Sequence, residues 1–295
     1  MNIGLIDVDS HNFPNLALMK ISAWHKRQGD KVEWWNGLFY YDRVYMSKVF
    51  TDEYTPDTIT AIQADEVIRG GSGYDLKNKL PDEIEHICPD YSLYGVKGSF
   101  GFCTRGCPRG CPFCCVAEKE GRKSVAVAEP SEWYRGGEIK LLDPNLLACK
   151  DHMKLIGLLA ETKARIDFTQ GLDARLLTED NINALNAVNT KMLHFAWDMM
   201  KESEAVLRGL KLYAKHGAIH NERGRAVYTL TNYDTSHEED LERIYKLKEL
   251  GYTPYVMIFD KSKAPRKTRL IQRWVNNRII FRSCARFEDY NPKLG

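Results

Sequence analysis

Five cysteines fall within thirteen residues: Cys103-Thr-Arg-Gly-Cys107-Pro-Arg-Gly-Cys111-Pro-Phe-Cys114-Cys115. Cys107, Cys111 and Cys114 form C-x3-C-x2-C, with the aromatic Phe113 just before the last of them. Three thiolates at this spacing can hold three irons of a four-iron cluster and leave the fourth iron without a protein ligand. Clusters that only carry electrons usually have four cysteines. An open iron is a coordination site, and that points to chemistry.

Zinc is the competing metal. A structural zinc site wants four ligands, usually as two separated pairs. Cys111 and Cys114 make one C-x2-C pair, and no second C-x2-C pair occurs in the chain; His216 and His220 are four apart, but Gly217 lies between them. Cys88, Cys149 and Cys284 are isolated. A disulfide framework does not suit a chain of this size with its cysteines gathered in one place. The spacing therefore favours an iron–sulfur cluster, with a zinc-containing nucleic-acid-binding protein as the alternative class.

The stretch Thr104-Arg-Gly-Cys107-Pro-Arg-Gly-Cys111-Pro-Phe113-Cys114 resembles the radical S-adenosylmethionine (SAM) enzymes, in particular the subgroup with a cobalamin-binding-like domain in front. The resemblance implies a [4Fe-4S] cluster on Cys107, Cys111 and Cys114. S-adenosyl-L-methionine would chelate the open iron through its amino and carboxylate groups. One-electron reduction would cleave its sulfonium, and the 5′-deoxyadenosyl radical would abstract hydrogen from a substrate. It further implies that Phe113 shields the cluster and touches the adenine. An electron donor such as flavodoxin or ferredoxin is implied as a partner. Cys103 and Cys115 are expected to be small buried or averted side chains rather than ligands. Arg105 and Arg109 either tune the cluster or lie in a solvated loop.

These residues need elements to position them. The chain has 295 residues and 43% hydrophobic content, enough for one large domain or two with a sizeable core. Apolar runs are far too short for a membrane span, and the start lacks a secretory signal. The expectation is a cytoplasmic enzyme, where reduced thiols persist. Net charge is +2, but residues 1–95 hold 9 Lys+Arg against 15 Asp+Glu, leaving an acidic front and a basic remainder.

Short buried strands at 3–8, 32–35, 43–46 and 65–68, with a helix over 15–28, predict a small Rossmann-like domain over 1–73. Residues 74–97 are polar, contain two prolines and read as a linker. From 98 to 260, strands near 99–103, 139–143, 165–168, 192–197, 226–230 and 254–259 alternate with helices, including 178–188, 203–216 and 237–250. Ser236 and Glu239 form a capping box for the last. Six βα units predict a partial (β/α)6 TIM-like barrel, so the fold class is α/β. Residues 261–295 form a basic segment closing it.

In such barrels reactive groups sit at strand C-termini. Gly136-Gly137-Glu138 precedes its strand and reads as a turn, although the related enzymes often use such a triplet for the methionine amino group. Asp143 and Asn145 follow the strand and are candidates for the methionine end of the cofactor, or else a plain turn. Gln170, Arg175, Asp198 and Asn232 lead the remaining strand-end candidates for cofactor or substrate contact, in a set with Thr169, Asp173, Trp197, Thr231, Asp234 and Asp260.

The front domain carries Asp9-Ser-His11-Asn-Phe-Pro14, similar to a D-x-H-x-x-G cobalamin motif but with Pro14 where Gly belongs. The favoured expectation is a degenerate fold without cobalamin; a cobalamin-dependent methyltransferase is the alternative. Between Lys261 and Arg282 stand eight basic residues and no acidic one. They either grip a nucleic acid or a nucleotide-like substrate, or form a barrel-closing helix with a solvated basic face, which is slightly preferred. The substrate itself is not legible.

Overall fold

The computed structural model describes residues 1–10, 13–59 and 61–293. Its first sheet contains β1 (Asn2–Asp7), β2 (Lys31–Trp34), β3 (Tyr41–Ser47) and β4 (Ala64–Gly70), all parallel in the order β2-β1-β3-β4. The period-2 alternation of β1 puts Ile3 and Leu5 against Leu18 and Ile21 of α1 (Leu16–Arg27), while Ile6 joins Val44 and Met46 in a second apolar cluster. Asn15 caps α1 by accepting a hydrogen bond from the Leu18 amide.

The segment 74–97 holds a short helix, α2 (Asp82–Glu85), and is tied on both sides. The Tyr94 hydroxyl donates to Asp7 at the end of β1 (2.5 Å). The Tyr91 hydroxyl donates to the carbonyls of Phe100 (2.9 Å) and Trp133 (2.8 Å) in the second half of the chain. Lys20 of α1 pairs with Glu85 at 2.8 Å, and Arg105 reaches the same carboxylate at 3.5 Å.

The second sheet has six parallel strands: β5 (Ser99–Gly101), β8 (Ile139–Leu141), β9 (Ile166–Leu172), β10 (Thr190–Ala196), β11 (Arg225–Thr231) and β12 (Thr253–Ile258), each beside its predecessor. Between β5 and β8 lie a small antiparallel ladder of β6 (Thr104–Arg105) and β7 (Val125–Ala126), with α3 (Val116–Glu120) between them, and α4 (Pro130–Trp133). The later connections carry α5 (His152–Glu161), α6 (Glu179–Asn186), α7 (Ser203–His216) and α8 (His237–Glu249). The expected capping box is present: Ser236 accepts from the Glu239 amide, and Glu239 accepts from the Ser236 amide at 2.7 Å. Strand 9 runs to Leu172, beyond its expected end, through an irregular register with β10 and a positive φ at Gly171.

Alternate residues of these strands face opposite ways. Ile139, Ile166, Phe168, Leu193, Phe195 and Val227 pack with Ile156, Ile182 and Leu210 of the helices. The other face carries Lys140, Asp167, Thr169, His194, Tyr228 and Tyr255, and among the described residues no helix joins them in an apolar cluster.

The basic segment folds as α9 (Arg266–Asn276) and α10 (Arg278–Ser283). Ile271, Trp274 and Val275 pack on Val256 and on Leu241 and Ile244 of α8, so Trp274 is a core residue. On another side of α9, Asn276 accepts from the Val256 amide (2.8 Å) and donates to its carbonyl (2.9 Å). Gln272 donates to the same carbonyl at 3.1 Å. Two amides thereby occupy backbone groups that an edge strand otherwise leaves open.

Candidate metal centre and its surroundings

The C-x3-C-x2-C segment is a closed loop hung from the two-residue β6–β7 ladder, just beyond the C-terminal end of β5. The Cys107 amide donates to Gly121 (3.1 Å) and the Cys114 amide to Cys111 (2.9 Å), so both ends of the motif are fixed by backbone bonds. Gly106 has φ 85°, and a Cβ there would stand 2.2 Å from the Lys123 carbonyl oxygen. Only glycine fits this turn into the loop. Glu120 accepts from the Gly106 amide (3.1 Å) and from Arg105 (2.8 Å), closing the loop from the α3 side.

Cys107 and Cys111 are half-buried and Cys114 is exposed. Burial pushes the Cys111 thiol up, as does nearby Glu202, and burial also raises Cys114. Cys107 accepts a hydrogen bond from Asn145 Nδ2 at 3.5 Å. Among the described residues, no three His, Cys, Asp or Glu side chains stand close enough to share one ion. A four-iron cluster asks for something different, because each thiolate takes its own iron and the donors ring the cluster. Three cysteines on one loop with both ends held by backbone bonds match that demand in number and spacing.

Asp143 is buried and accepts from the Cys103 amide (2.9 Å), the Thr104 amide (2.6 Å) and the Thr104 hydroxyl (2.6 Å). Burial raises its carboxyl to about 6 despite those bonds. Its oxygens are thus spent on the strand-to-loop junction. Asn145, also buried, shares its Nδ2 between Cys107 and Asp173 (3.3 Å), and its Oδ1 has no partner among the described residues.

Asp173 receives Arg109 from the cysteine loop (2.7 Å) and Arg175 (2.7 Å). Burial works against its charge, but both guanidinium groups, Arg175 foremost, hold it below the usual carboxylate range. Arg175 also pairs with Glu202. Gln170 is exposed at the end of β9. Asp198 accepts from the Leu230 amide at 3.1 Å, and burial raises it to about 6. Asn232 has φ 63° and donates to the Phe259 carbonyl (2.8 Å). Phe113 meets Tyr233 edge-on at 5.2 Å, and Tyr233 meets Phe259 at 5.0 Å.

Neither a protein-family model nor a curated protein sequence matches the chain. Solved structures do. TsrM from Kitasatospora setae, a radical S-adenosylmethionine methyltransferase solved with cobalamin and a [4Fe-4S] cluster bound, aligns with a TM-score of 0.64 at 11% identity, over 87% of this chain and 72% of that one. A second TsrM structure, with tryptophan substrate and the SAM analogue aza-SAM, aligns with a TM-score of 0.64 at 12% identity over the same shares. The chain has the fold of the radical SAM enzymes. At such identity the likeness shows the fold and assigns no residue a role.

Within that fold the sequence candidates divide. Cys107, Asn145, Asp173, Arg109 and Arg175 form one connected network. Asp143 adjoins it as a clamp on Thr104. Asp198 and Asn232 each serve a neighbouring backbone group. Trp197 is in the core, its indole N–H donating to Ser203. Cys103 and Cys149 are buried, and burial drives the Cys103 thiol strongly upward, the nearby Asp143 adding to it. His11 lies outside the described residues.

Sequence reasoning passed over the polar face of the second sheet. His194 stacks on Tyr228 at 5.0 Å with ring planes 8° apart, and Tyr255 meets Tyr228 edge-on at 5.8 Å. Asp167 lies 3.5 Å from His194. Polar residues alternating with core residues inside strands of a parallel sheet were the available signal.

Proposed function

We propose that the chain is a radical SAM enzyme, with Cys107, Cys111 and Cys114 holding one [4Fe-4S] cluster and the fourth iron taking S-adenosyl-L-methionine. The observation that carries this reading is the pinned three-thiol loop at the C-terminal end of the first strand of a six-strand sequential parallel sheet. When bound, the cluster supplies the electron for reductive cleavage of the cofactor. The chain's residues do the rest. Asn145 donates to the Cys107 sulfur, and its unpartnered Oδ1 is an acceptor suited to the cofactor's amino group. Arg109 fastens the cysteine loop to Asp173 on the neighbouring strand end. Phe113 meets Tyr233, which in turn meets Phe259, and these rings offer apolar area beside the cysteine loop for a bound cofactor to cover.

The sheet is read as a partial (β/α)6 TIM-like barrel. Its strand order never reverses, unlike that of a doubly wound sheet. Strands 5 and 11 are four places apart, about 19 Å at ordinary strand spacing. Phe113 after β5 nevertheless touches Tyr233 after β11, as a curled sheet would allow. Among the described residues no helix is long and apolar enough to cross a membrane. A cytoplasmic enzyme served by flavodoxin or ferredoxin is part of the proposal.

A cobalamin-dependent methyltransferase is the second reading, favoured by the extent of the TsrM likeness. The front sheet speaks against it. Lys48, fully buried beyond β3, pairs with Asp52 and with Asp57 (3.0 Å), and Tyr74 donates to Asp57. A Cβ on Gly71 or Gly73 would meet the Lys48 or Phe50 carbonyl oxygen at 2.3 and 2.2 Å. The chain's own groups thus crowd the C-terminal ends of β3 and β4. Asp9 is spent on the Val49 and Phe50 amides (2.7 and 2.8 Å).

The test is anaerobic purification and reconstitution. The expected protein is brown, carries about four irons per chain, and forms 5′-deoxyadenosine from S-adenosylmethionine when reduced. A colourless zinc protein would end this reading.

A further inference from the structure

An open pocket of about 470 Å³ lies where the polar face of the second sheet meets α9. Tyr255, Lys261, Arg269, Gln272, Arg273 and Asn276 line it, so three of its six residues are cationic and none is acidic. The fold fixes the elements that carry these cations. Residues 269, 272, 273 and 276 share one side of α9. That side is fixed against β12 by the Gln272 and Asn276 bonds to Val256, while Ile271 and Trp274 anchor the helix in the core. Arg269 donates to the carbonyls of Ala264 (3.1 Å) and Ser262 (3.2 Å), which sets the loop that carries Lys261.

The pocket opens onto aromatic surface. Tyr255 is about half exposed (47%) and belongs both to the pocket and to the ring series His194–Tyr228–Tyr255. The volume lies within the range of about 300–1,000 Å³ typical of small-molecule sites and exceeds what a bare anion needs. A cationic wall beside an exposed ring matches one ligand chemistry, a phosphate joined to a flat aromatic base.

We propose that this pocket binds the phosphate of a nucleotide whose base lies against Tyr255. Its role as the enzyme's substrate site rests on the radical SAM reading proposed above. The nucleotide is either free or presented within a nucleic acid strand; the shared chemistry is the nucleoside phosphate.

The test uses full-length, cluster-loaded protein saturated with S-adenosylmethionine, so that the cofactor's own adenosine does not compete. Equilibrium dialysis compares nucleoside 5′-monophosphates with their nucleosides and with single-stranded ten-nucleotide RNA and DNA. A monophosphate binding at least tenfold more tightly than its nucleoside is expected if the ligand is free. Tighter binding of an oligonucleotide, falling steeply with salt as counterions are released, is expected if it is presented in a strand. In either case Arg273→Gln and Tyr255→Ala should each weaken binding at least tenfold. Lys261→Ala, on an exposed loop, gives a third variant that does not depend on the packing of α9. Equal affinity for nucleoside and monophosphate with no oligonucleotide binding, or binding unchanged in all three variants, overturns the proposal. Iron content and 5′-deoxyadenosine formation are measured separately on the unaltered protein. Nucleotide binding without iron would overturn the radical reading and leave the pocket standing. A four-iron protein that cleaves the cofactor but ignores every phosphate probe would do the reverse.

Discussion

The Asp143 carboxylate takes two hydrogen bonds from Thr104, one from its amide and one from its hydroxyl, both 2.6 Å, and so ties the end of β8 to the start of the cysteine loop. This clamp joins the Asn145–Cys107 and Arg109–Asp173 contacts in linking the sheet to the cysteine loop. Asp143→Asn should weaken it, because one side-chain oxygen is replaced by an N–H group facing backbone donors. Leaving a buried donor unpaired costs about 1–3 kcal/mol. The expected result is a lower urea midpoint of the iron-free protein and reduced iron retention. Thr104→Val removes only the hydroxyl and should have the smaller effect. Full iron retention and an unchanged midpoint in Asp143→Asn would show that the clamp is dispensable.

The ligand assignment is tested cysteine by cysteine. Cys107→Ala, Cys111→Ala and Cys114→Ala should each abolish iron loading and cofactor cleavage. Cys103→Ala, Cys115→Ala and Cys149→Ala should keep cleavage within about tenfold, roughly 1.4 kcal/mol of perturbation. Cys103 and Cys149 are buried among core residues, and Cys115 is exposed beside α3. Loss of the cluster in Cys115→Ala with its retention in Cys114→Ala would reverse the assignment.

Local features of this chain were legible in its sequence. The cysteine spacing, the strands expected near 139–143 and 226–230 and found at Ile139–Leu141 and Arg225–Thr231, and the Ser236–Glu239 box each depend on residues a few positions apart. The roles of the strand-end polar residues were not. Asp143 finds its partners 39 and 40 residues away, and Asp198 finds the Leu230 amide 32 away. Sequence could place an acid after a strand but could not tell whether its oxygens would face a ligand or a neighbouring backbone. Gln170 was expected beyond its strand, yet the irregular register carries β9 through it to Leu172. The polar face stayed hidden because Asp167, His194 and Tyr228 come from three strands and meet only when the sheet forms.

The front domain makes its own prediction. Hydroxocobalamin added during reconstitution should not survive desalting at one per chain, since Lys48, Tyr74 and Asp57 crowd the ends of β3 and β4 and Pro14 stands where the motif wants glycine. Retention near one per chain, lost in His11→Ala, would make the cobalamin-dependent methyltransferase the better reading.

Asp198 should leave a signature in the pH dependence of stability. Its carboxyl lies beyond β10, where burial raises it to about 6 from an unfolded value of 3.8. The Leu230 amide and the charge of Arg243 oppose that rise without cancelling it. Arg243 is fully buried and already committed to the carbonyls of Trp197 (2.7 Å) and Leu230 (2.8 Å) and to Asp240 (2.5 Å), which limits its help. Below the unfolded value both states hold the proton. Between the two values only the native state holds it, and above about 6 neither does. The stabilisation from this group is therefore complete in acid and is lost as pH rises through the folded value. The difference amounts to up to about 3 kcal/mol. Asp198→Asn keeps an oxygen for the Leu230 amide and removes the titration. Relative to wild type, the variant should gain stability between pH 4 and 7 and show a constant difference above that, read from urea midpoints at each pH. A difference that stays flat, or that runs the other way, would mean that the Arg243 charge outweighs burial at this strand end.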